Sequence, residues 1–393
     1  MELVILFGNA GDGKTSFLQH LAIRLGLPRH NSAERLWDHT LPNGIRIKAN
    51  LDGSAAFRDR SATELLNEFF KPFHDCNPPE NLVHLIAINS GPLLKWLEDY
   101  EYETCLTEQL LAILEGDISQ LDGRFRLLDL NNRSLVGGIN EETGLITTDF
   151  IDSLLSKFLG NESHDLWHGC LTCSAAGRCS AWESVRVLRD PEKAAIVRRR
   201  FDEALQAVHQ RGEIHITARE LRAAASYIFF GLYYCDELHD HPELNAGHYY
   251  DRSFDPTSPG RQGELLRELV YLDPALEAHP KIDRYLLGNG DAFGAGLAQY
   301  PGITLKTARR RAYFEWDTEI IQRIAGDGSF FGLARGRHLE RFRRTPFMDE
   351  EENNILKCDL CEGVARLEDL PQLAFDSYGI PLKMVPRCFM WVA

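Results

Sequence analysis

The 393-residue chain contains no run of eighteen apolar residues, so no segment reads as a membrane-spanning helix. It has no basic leader, and its first apolar run is too short for a signal peptide and forms part of another motif. Basic residues are in deficit: 43 Lys and Arg against 58 Asp and Glu leave a net charge of −15. That balance argues against a surface coated for non-specific DNA binding, and any nucleic-acid contact has to come from a local patch. Internal repeats and low-complexity tracts are also lacking, and no apolar strand ends in an Asp-Glu pair. The cysteines number nine, an odd count in a long chain without a leader, which fits reduced thiols and a cytoplasmic location. At 44% hydrophobic content the chain can bury a sizeable core and is long enough for two or three domains.

What the chain does have begins at residue 8. The stretch GNAGDGKTS comprises Gly8, Asn9, Ala10, Gly11, Asp12, Gly13, Lys14, Thr15 and Ser16, and it fits the phosphate-loop pattern G-x-x-x-x-G-K-[ST]. Leu3 to Phe7 precede it as a short apolar strand, and Phe17, Leu18, Leu21, Ala22 and Leu25 follow at helical spacing. Strand, glycine loop and helix therefore occur in the order the motif needs. Glycines let successive N–H groups curl around one concavity, and the helix start adds its positive end. Lys14 is placed to reach the β and γ phosphates, and the Thr15 hydroxyl to bind Mg²⁺.

Residues 1–150 alternate short apolar strands with helical stretches and predict an open parallel α/β sheet. The expected strands are Leu3–Phe7, Ile45–Leu51, Leu82–Asn89 and Phe125–Leu130, with helices over Ala62–Phe73, Pro92–Leu97 and Thr107–Leu114. Residues 151–240 read as helical with a cysteine-rich insert, and 241–393 as a smaller, mostly helical region entered through Pro- and Gly-rich connections. The ending CFMWVA fits a terminal strand or a chain that continues.

A phosphate loop needs a carboxylate at a neighbouring strand tip to hold Mg²⁺ through water. Asp52, after IRIKANL, is the first candidate and Asp129 the second. Asn89 ends a wholly apolar strand and offers a neutral amide beside the loop strand, or a cap for the helix that follows. In ITARELR, Thr217 and Glu220 form a capping box, with Arg219 and Arg222 three apart on one face near the helix start. Arg219 is the better placed to meet a phosphate, against the alternative of a surface salt bridge. Arg133, after the fourth expected strand, is a weaker candidate for acting between subunits.

LWHGCLTCSAAGRCSAW gathers His168, Cys170, Cys173 and Cys179. Cys-x2-Cys is a spacing at which one turn presents two thiolates to one ion; Cys179 could close a third corner, with His168 or His164 as the fourth. These donors favour Zn²⁺, then an iron–sulfur cluster, with buried free thiols as the alternative. Cys358 and Cys361 instead fall on a helical apolar stripe and read as core residues. Two basic stretches, 306–311 and 335–344, are either solvated helix faces or a surface for DNA or a partner subunit.

With these pieces placed, residues 1 to about 240 resemble the AAA-type P-loop ATPases of prokaryotic defence systems. Among these the chain resembles the DptF-type ATPases of phosphorothioation-dependent DNA restriction. LFGNAGDGKTSFLQHL, LIAINSGPLLKWLE, the CLTC insert and HITARELRAAASYIFFG carry the likeness. It implies a P-loop NTPase fold with a helical lid, and an ATP- and Mg²⁺-binding subunit of an antiviral DNA-restriction complex. Self-oligomerisation and other defence-system subunits as partners are implied too. It carries over Gly8–Thr15, with Lys14, as the nucleotide loop, Asn89 as the γ-phosphate sensor and Arg219 as the lid arginine, while Asp52 as the carboxylate comes from its place after the strand and not from the likeness. Such enzymes usually carry a segment ahead of the first strand that contacts the base, so base specificity is left open. The missing Asp-Glu pair supports a second expectation, a nucleotide-binding scaffold or switch with negligible hydrolysis. A small-molecule P-loop kinase is a third.

Overall fold

A computed structural model describes residues 2–27, 34–75, 80–100, 102–115, 123–133, 135–136, 138–139, 146–147, 149–160, 165–212, 214–244, 247–254, 263–276, 279–287, 304–326, 341, 344–345 and 348–367. Its contacts divide the chain into two compact units. The first comprises Met1–Leu135 with Ile214–Ser226; the second comprises Val136–Glu213 with Tyr227–Ala393.

The first unit is a sheet with helices on both faces. Along the chain run β1 (Glu2–Gly8), α1 (Lys14–Arg24), β2 (Leu36–Thr40), β3 (Arg46–Asn50), α2 (Ala62–Phe70), β4 (Leu82–Asn89), α3 (Ser90–Asp99), α4 (Cys105–Glu115) and β5 (Phe125–Asp129). The strand order is β2-β3-β4-β1-β5. β1 lies parallel to β4 on one side and to β5 on the other, and β3 lies parallel to β4. β2 is antiparallel to β3, so the sheet is mixed and mostly parallel rather than purely parallel as expected. The reason is local. Residues 41–45 join β2 to β3 through a turn closed by Leu41 N–H to Ile45 C=O at 2.8 Å, far too short for the crossover that a parallel pair needs.

Strand alternation sends side chains to two cores. Leu3, Ile5 and Phe7 of β1 join Ile86 and Ile88 of β4 in one core, against Leu66, Phe69 and Phe70 of α2, Phe73, Leu93 and Trp96 of α3, and Leu106 and Leu110 of α4. Leu6, Leu85 and Ala87 face the other way and meet Leu18 and Ala22 of α1, with Trp37 and Ile47. The helices have identifiable starts. Ser61 Oγ accepts the Glu64 N–H at 3.2 Å while Glu64 Oε2 accepts the Ser61 N–H at 2.8 Å, a reciprocal cap on α2. His84, on β4 and 1% exposed, sits between Phe69 and Phe73, and its Nδ1 lies 2.8 Å from the Phe69 carbonyl. That bond makes Nδ1 the protonated nitrogen and leaves Nε2 buried with no hydrogen-bond partner. Burial accordingly pushes the His84 pKa down to about 4.

The second unit is predominantly helical in its described parts. Its longest helix, Pro191–Arg211, starts at Asp190, whose carboxylate accepts the Glu192 and Lys193 N–H groups, and stops at Gly212 in the left-handed region (φ 71°). Val197, Phe201, Leu205 and Val208 along it are buried. Arg310, 3% exposed, donates two bonds to Asp273, at 3.1 and 2.7 Å, and a third to the Phe254 carbonyl at 3.2 Å. Among the described residues, no helix is long and apolar enough to cross a membrane.

Candidate nucleotide site

Parallel pairing fixes which side chains meet at one edge of the sheet. In register, Gly8 of β1 stands opposite Asn89 of β4, and Phe7 stands opposite Asp129 of β5. The turn after β3 reaches the same edge. Gly53 N–H donates to the Ala87 carbonyl at 2.7 Å, and a Cβ at Gly53 would come within 2.8 Å of Ile86 Cδ1. Asp52 is therefore carried to the carboxyl ends of β4 and β1, where open α/β sheets bind their ligands.

The glycine loop leaves this edge through three residues with positive φ: Gly8 at 152°, Gly11 at 106° and Gly13 at 87°. Two of these glycines are confined by neighbours as well. A Cβ on Gly8 would lie 2.7 Å from Asp12 Oδ2, and one on Gly11 would lie 3.0 Å from Arg219 Cβ and 3.1 Å from Thr217 Oγ1. Gly13 caps α1, whose first turn holds no acidic residue, so nothing of the helix's own opposes an anion at its positive end. Ala10 and Ser16 are exposed, and so is Asn9, whose N–H the Asp12 carboxylate accepts. The other Asp12 oxygen lies 3.1 Å from His215 Nε2.

Lys14 is 7% exposed and folds back over the loop, donating to the Gly8 carbonyl at 3.1 Å and the Asn9 carbonyl at 2.6 Å. Burial lowers its pKa; Asp12 and then Asp52 act against that, and Arg219 adds to it. Lys14, Asp12, Asp52 and Arg219, the last about two hundred positions away in sequence, thus share one electrostatic neighbourhood. The Thr15 hydroxyl donates to the Leu51 carbonyl at 2.9 Å, so its hydrogen points at the end of β3 and its lone pairs remain for a cation. Asp52 accepts the Ser54 N–H at 3.1 Å and stands 3.7 Å from Arg35.

Asn89 supplies the N-cap backbone of α3 but no side-chain cap, so its amide is not engaged in that alternative role. Its own N–H donates to Ser54 Oγ at 2.9 Å. Asp129 instead turns its carboxylate to the Asn131 N–H at 2.9 Å, the bond of a local turn. Arg219 is exposed at the start of the helix Ala218–Phe230, beneath the Thr217–Glu220 capping box, in which Glu220 N–H meets Thr217 Oγ1 at 3.2 Å. Arg222 and Arg133 are also exposed.

Of the cysteine set, Cys170, Cys173 and Cys179 line one cavity, and Cys235 and His239 line it with them. His168 is exposed and does not line that cavity, and His164 lies outside the described residues. Among the described residues, no three or more His, Cys, Asp and Glu side chains form a group ready to hold a metal ion. Cys358 and Cys361 are half-buried rather than core residues, whereas Cys105 is disulfide-bonded, so the all-thiol expectation does not extend to it. The arginines of 306–311 serve the second unit's interior. Arg309 pairs with Asp283 at 2.6 Å, Arg310 with Asp273 at 2.7 Å and Arg311 with Glu315 at 2.9 Å. Stretch 335–344 lies mostly outside the described residues; its Arg341 pairs with Asp359.

Ser54 and Arg35 have no motif to mark them, and only the three-dimensional contacts draw them to the site; His215 lies in the quoted HITARELR stretch, but nothing in the sequence pairs it with Asp12. No family model, no curated protein and no solved structure matches this chain.

Proposed function

We propose that the first unit binds a nucleoside triphosphate with Mg²⁺, ATP by the resemblance noted above, and hydrolyses it. The observation that supports this best is the buried Lys14 ammonium. It stands over a loop of positive-φ glycines, at the start of a helix free of acidic residues, within reach of Asp52 and Arg219. Two of its three hydrogens go to loop carbonyls, which aims the charge across the loop mouth. In this reading Lys14 binds the β and γ phosphates. Thr15 and Asp52 would hold Mg²⁺, which when bound neutralises phosphate charge. Asn89, with its amide free of capping, orients the attacking water, and Arg219 reports the γ-phosphate. The biological setting, an oligomeric ATPase subunit of a bacterial DNA-restriction complex with further defence subunits, rests on the resemblance alone. Titration calorimetry with MgATP and a phosphate-release assay, with and without DNA, test the reading. Binding that Lys14→Ala weakens is expected, and a wild-type chain that binds no nucleotide overturns it.

One observation favours the second reading, a nucleotide-dependent switch with negligible turnover. Asp52 is engaged by Ser54 and Arg35, and no glutamate stands beside it. Tight MgATP binding without phosphate release, in the presence and absence of DNA, selects it.

A further inference from the structure

The cavity bordered by the CLTC segment is where the chemistry left over by the nucleotide site is concentrated. Its lining comprises Cys170, Cys173, Cys179 and Cys235, closed by Trp182 and Leu238, with an empty volume of about 420 Å³ including its open mouth. Cys170 and Cys173 are brought together by consecutive tight turns: Cys170 N–H donates to Trp167 C=O at 2.9 Å, and Cys173 N–H to Cys170 C=O at 3.4 Å. Cys179 is the N-cap of the helix Ser180–Arg189, and Cys235 opens the helix Cys235–Asp240. Three thiols thus come from one irregular segment and the fourth from a distant helix, all within electrostatic range of Cys170.

The segment that carries the first three is tied down at its start, where Trp167 meets the Phe230 ring and donates to the Phe158 carbonyl at 2.8 Å and Asp165 pairs with Arg189, but it buries little apolar surface of its own. From Asp165 to Cys179 only Ala175 is buried, and Leu166 and Leu171 are each 63% exposed. A fifteen-residue stretch of turns without a core of its own is what a structural metal ordinarily stabilises, because ligand bonds replace the missing apolar burial. A histidine and an arginine border the sulfurs. His239 Nε2 lies 3.3 Å from Cys173 Sγ, at hydrogen-bond distance to that sulfur, and Arg178 borders the cavity.

We infer that Cys170, Cys173, Cys179 and Cys235 form a four-thiolate centre for a soft metal, with Cys235 as the fourth ligand and His168 outside it. His239 positions the Cys173 sulfur. Zinc draws four such sulfurs onto one ion, whereas an iron–sulfur cluster spans the ring they border. The donor chemistry is common to both.

The full chain, purified without oxygen and without added metal, is assayed by elemental analysis, acid-labile sulfide and visible absorption. About one zinc per chain with no visible band, or iron with matching sulfide and a visible band, is the expected result, and it separates the two metals. Cys235→Ser and Cys173→Ser are expected to lose the metal, His168→Gln to keep it in full, and His239→Gln to bind it roughly 10–100-fold more weakly. Because a ligand variant can misfold, thiol titration of the native wild type gives a second readout: a chelator should release the metal and expose four additional thiols together, with the helical circular dichroism largely retained. A chain that holds no metal even after reconstitution with zinc or with iron and sulfide overturns the inference. So does a folded Cys235→Ser protein that retains its metal.

Discussion

The glycine loop at Gly8–Ser16 and the cysteine segment at Asp165–Cys179 are both irregular stretches that end at a helix start, yet they are held in opposite ways. The loop hangs from a central parallel strand whose neighbours are fixed by register, and beneath it lie two apolar cores. The cysteine segment is tied at its start by Trp167 and Asp165, and beyond them it rests on one buried alanine and a set of turns. A site at a sheet edge inherits its precision from the sheet; a site on turns must receive it from its ligand. The two should therefore respond differently to the same insults.

The largest expected effect separates them through the core. Phe73→Ala removes a fully buried ring and should cost the first unit about 3–5 kcal/mol in denaturant unfolding, taking nucleotide binding with it. The metal content of the cysteine pocket should be unchanged; a loss there would break the contrast. Acid comes next. The His84 pKa is about 4 in the folded state against an ordinary value of 6.5, so its neutral ring contributes stability in full above 6.5. That contribution falls away as the pH drops through about 4, a loss of roughly 3 kcal/mol. His84→Leu should flatten the pH dependence of first-unit unfolding between those limits.

Lys14→Ala should weaken MgATP binding by roughly 1.5–3 kcal/mol, about 10–100-fold by calorimetry, while leaving unfolding nearly unchanged, because the lysine belongs to the site and not to the core. The smallest effect sharpens the loop's own geometry. Gly11→Ala places a methyl group at φ 106° and 3.0 Å from Arg219 Cβ, and should cost about 1 kcal/mol or more of stability, read as a lowered melting temperature.

The strand–loop–helix at residues 2–24, the strand at Leu82–Asn89 and the helix start at Thr217 were legible in the sequence, because each is written in contiguous residues: an apolar run, glycines at fixed offsets, a capping box. β2 was not. LWDHT buries only Trp37 and lies on the sheet edge, where neither alternation nor an apolar run is required. The antiparallel turn of the sheet went unread with it. Asp52, Asn89 and Arg219 could be nominated one by one, but their proximity to Lys14 depends on strand order and on residues 214–226 returning to the first unit. The fourth thiol shows the same limit. His168 lay two residues from a cysteine and invited the assignment, whereas Cys235 reaches the cavity only through the fold. The basic run KTARRR read as a surface because charge alone does not reveal a buried partner such as Asp273.

The contact of Gly11 with Thr217 and Arg219 bears on how the protein can be cut. A fragment ending at Leu135 would retain all five strands, the glycine loop and Lys14, and would look like a self-contained nucleotide-binding domain. It would lack the His215 partner of Asp12 and the helix start that packs on Gly11, so its affinity would report a loop stripped of one wall. Grafting Ile214–Ser226 back through a short linker should restore it, which makes the minimal unit two pieces of chain rather than one.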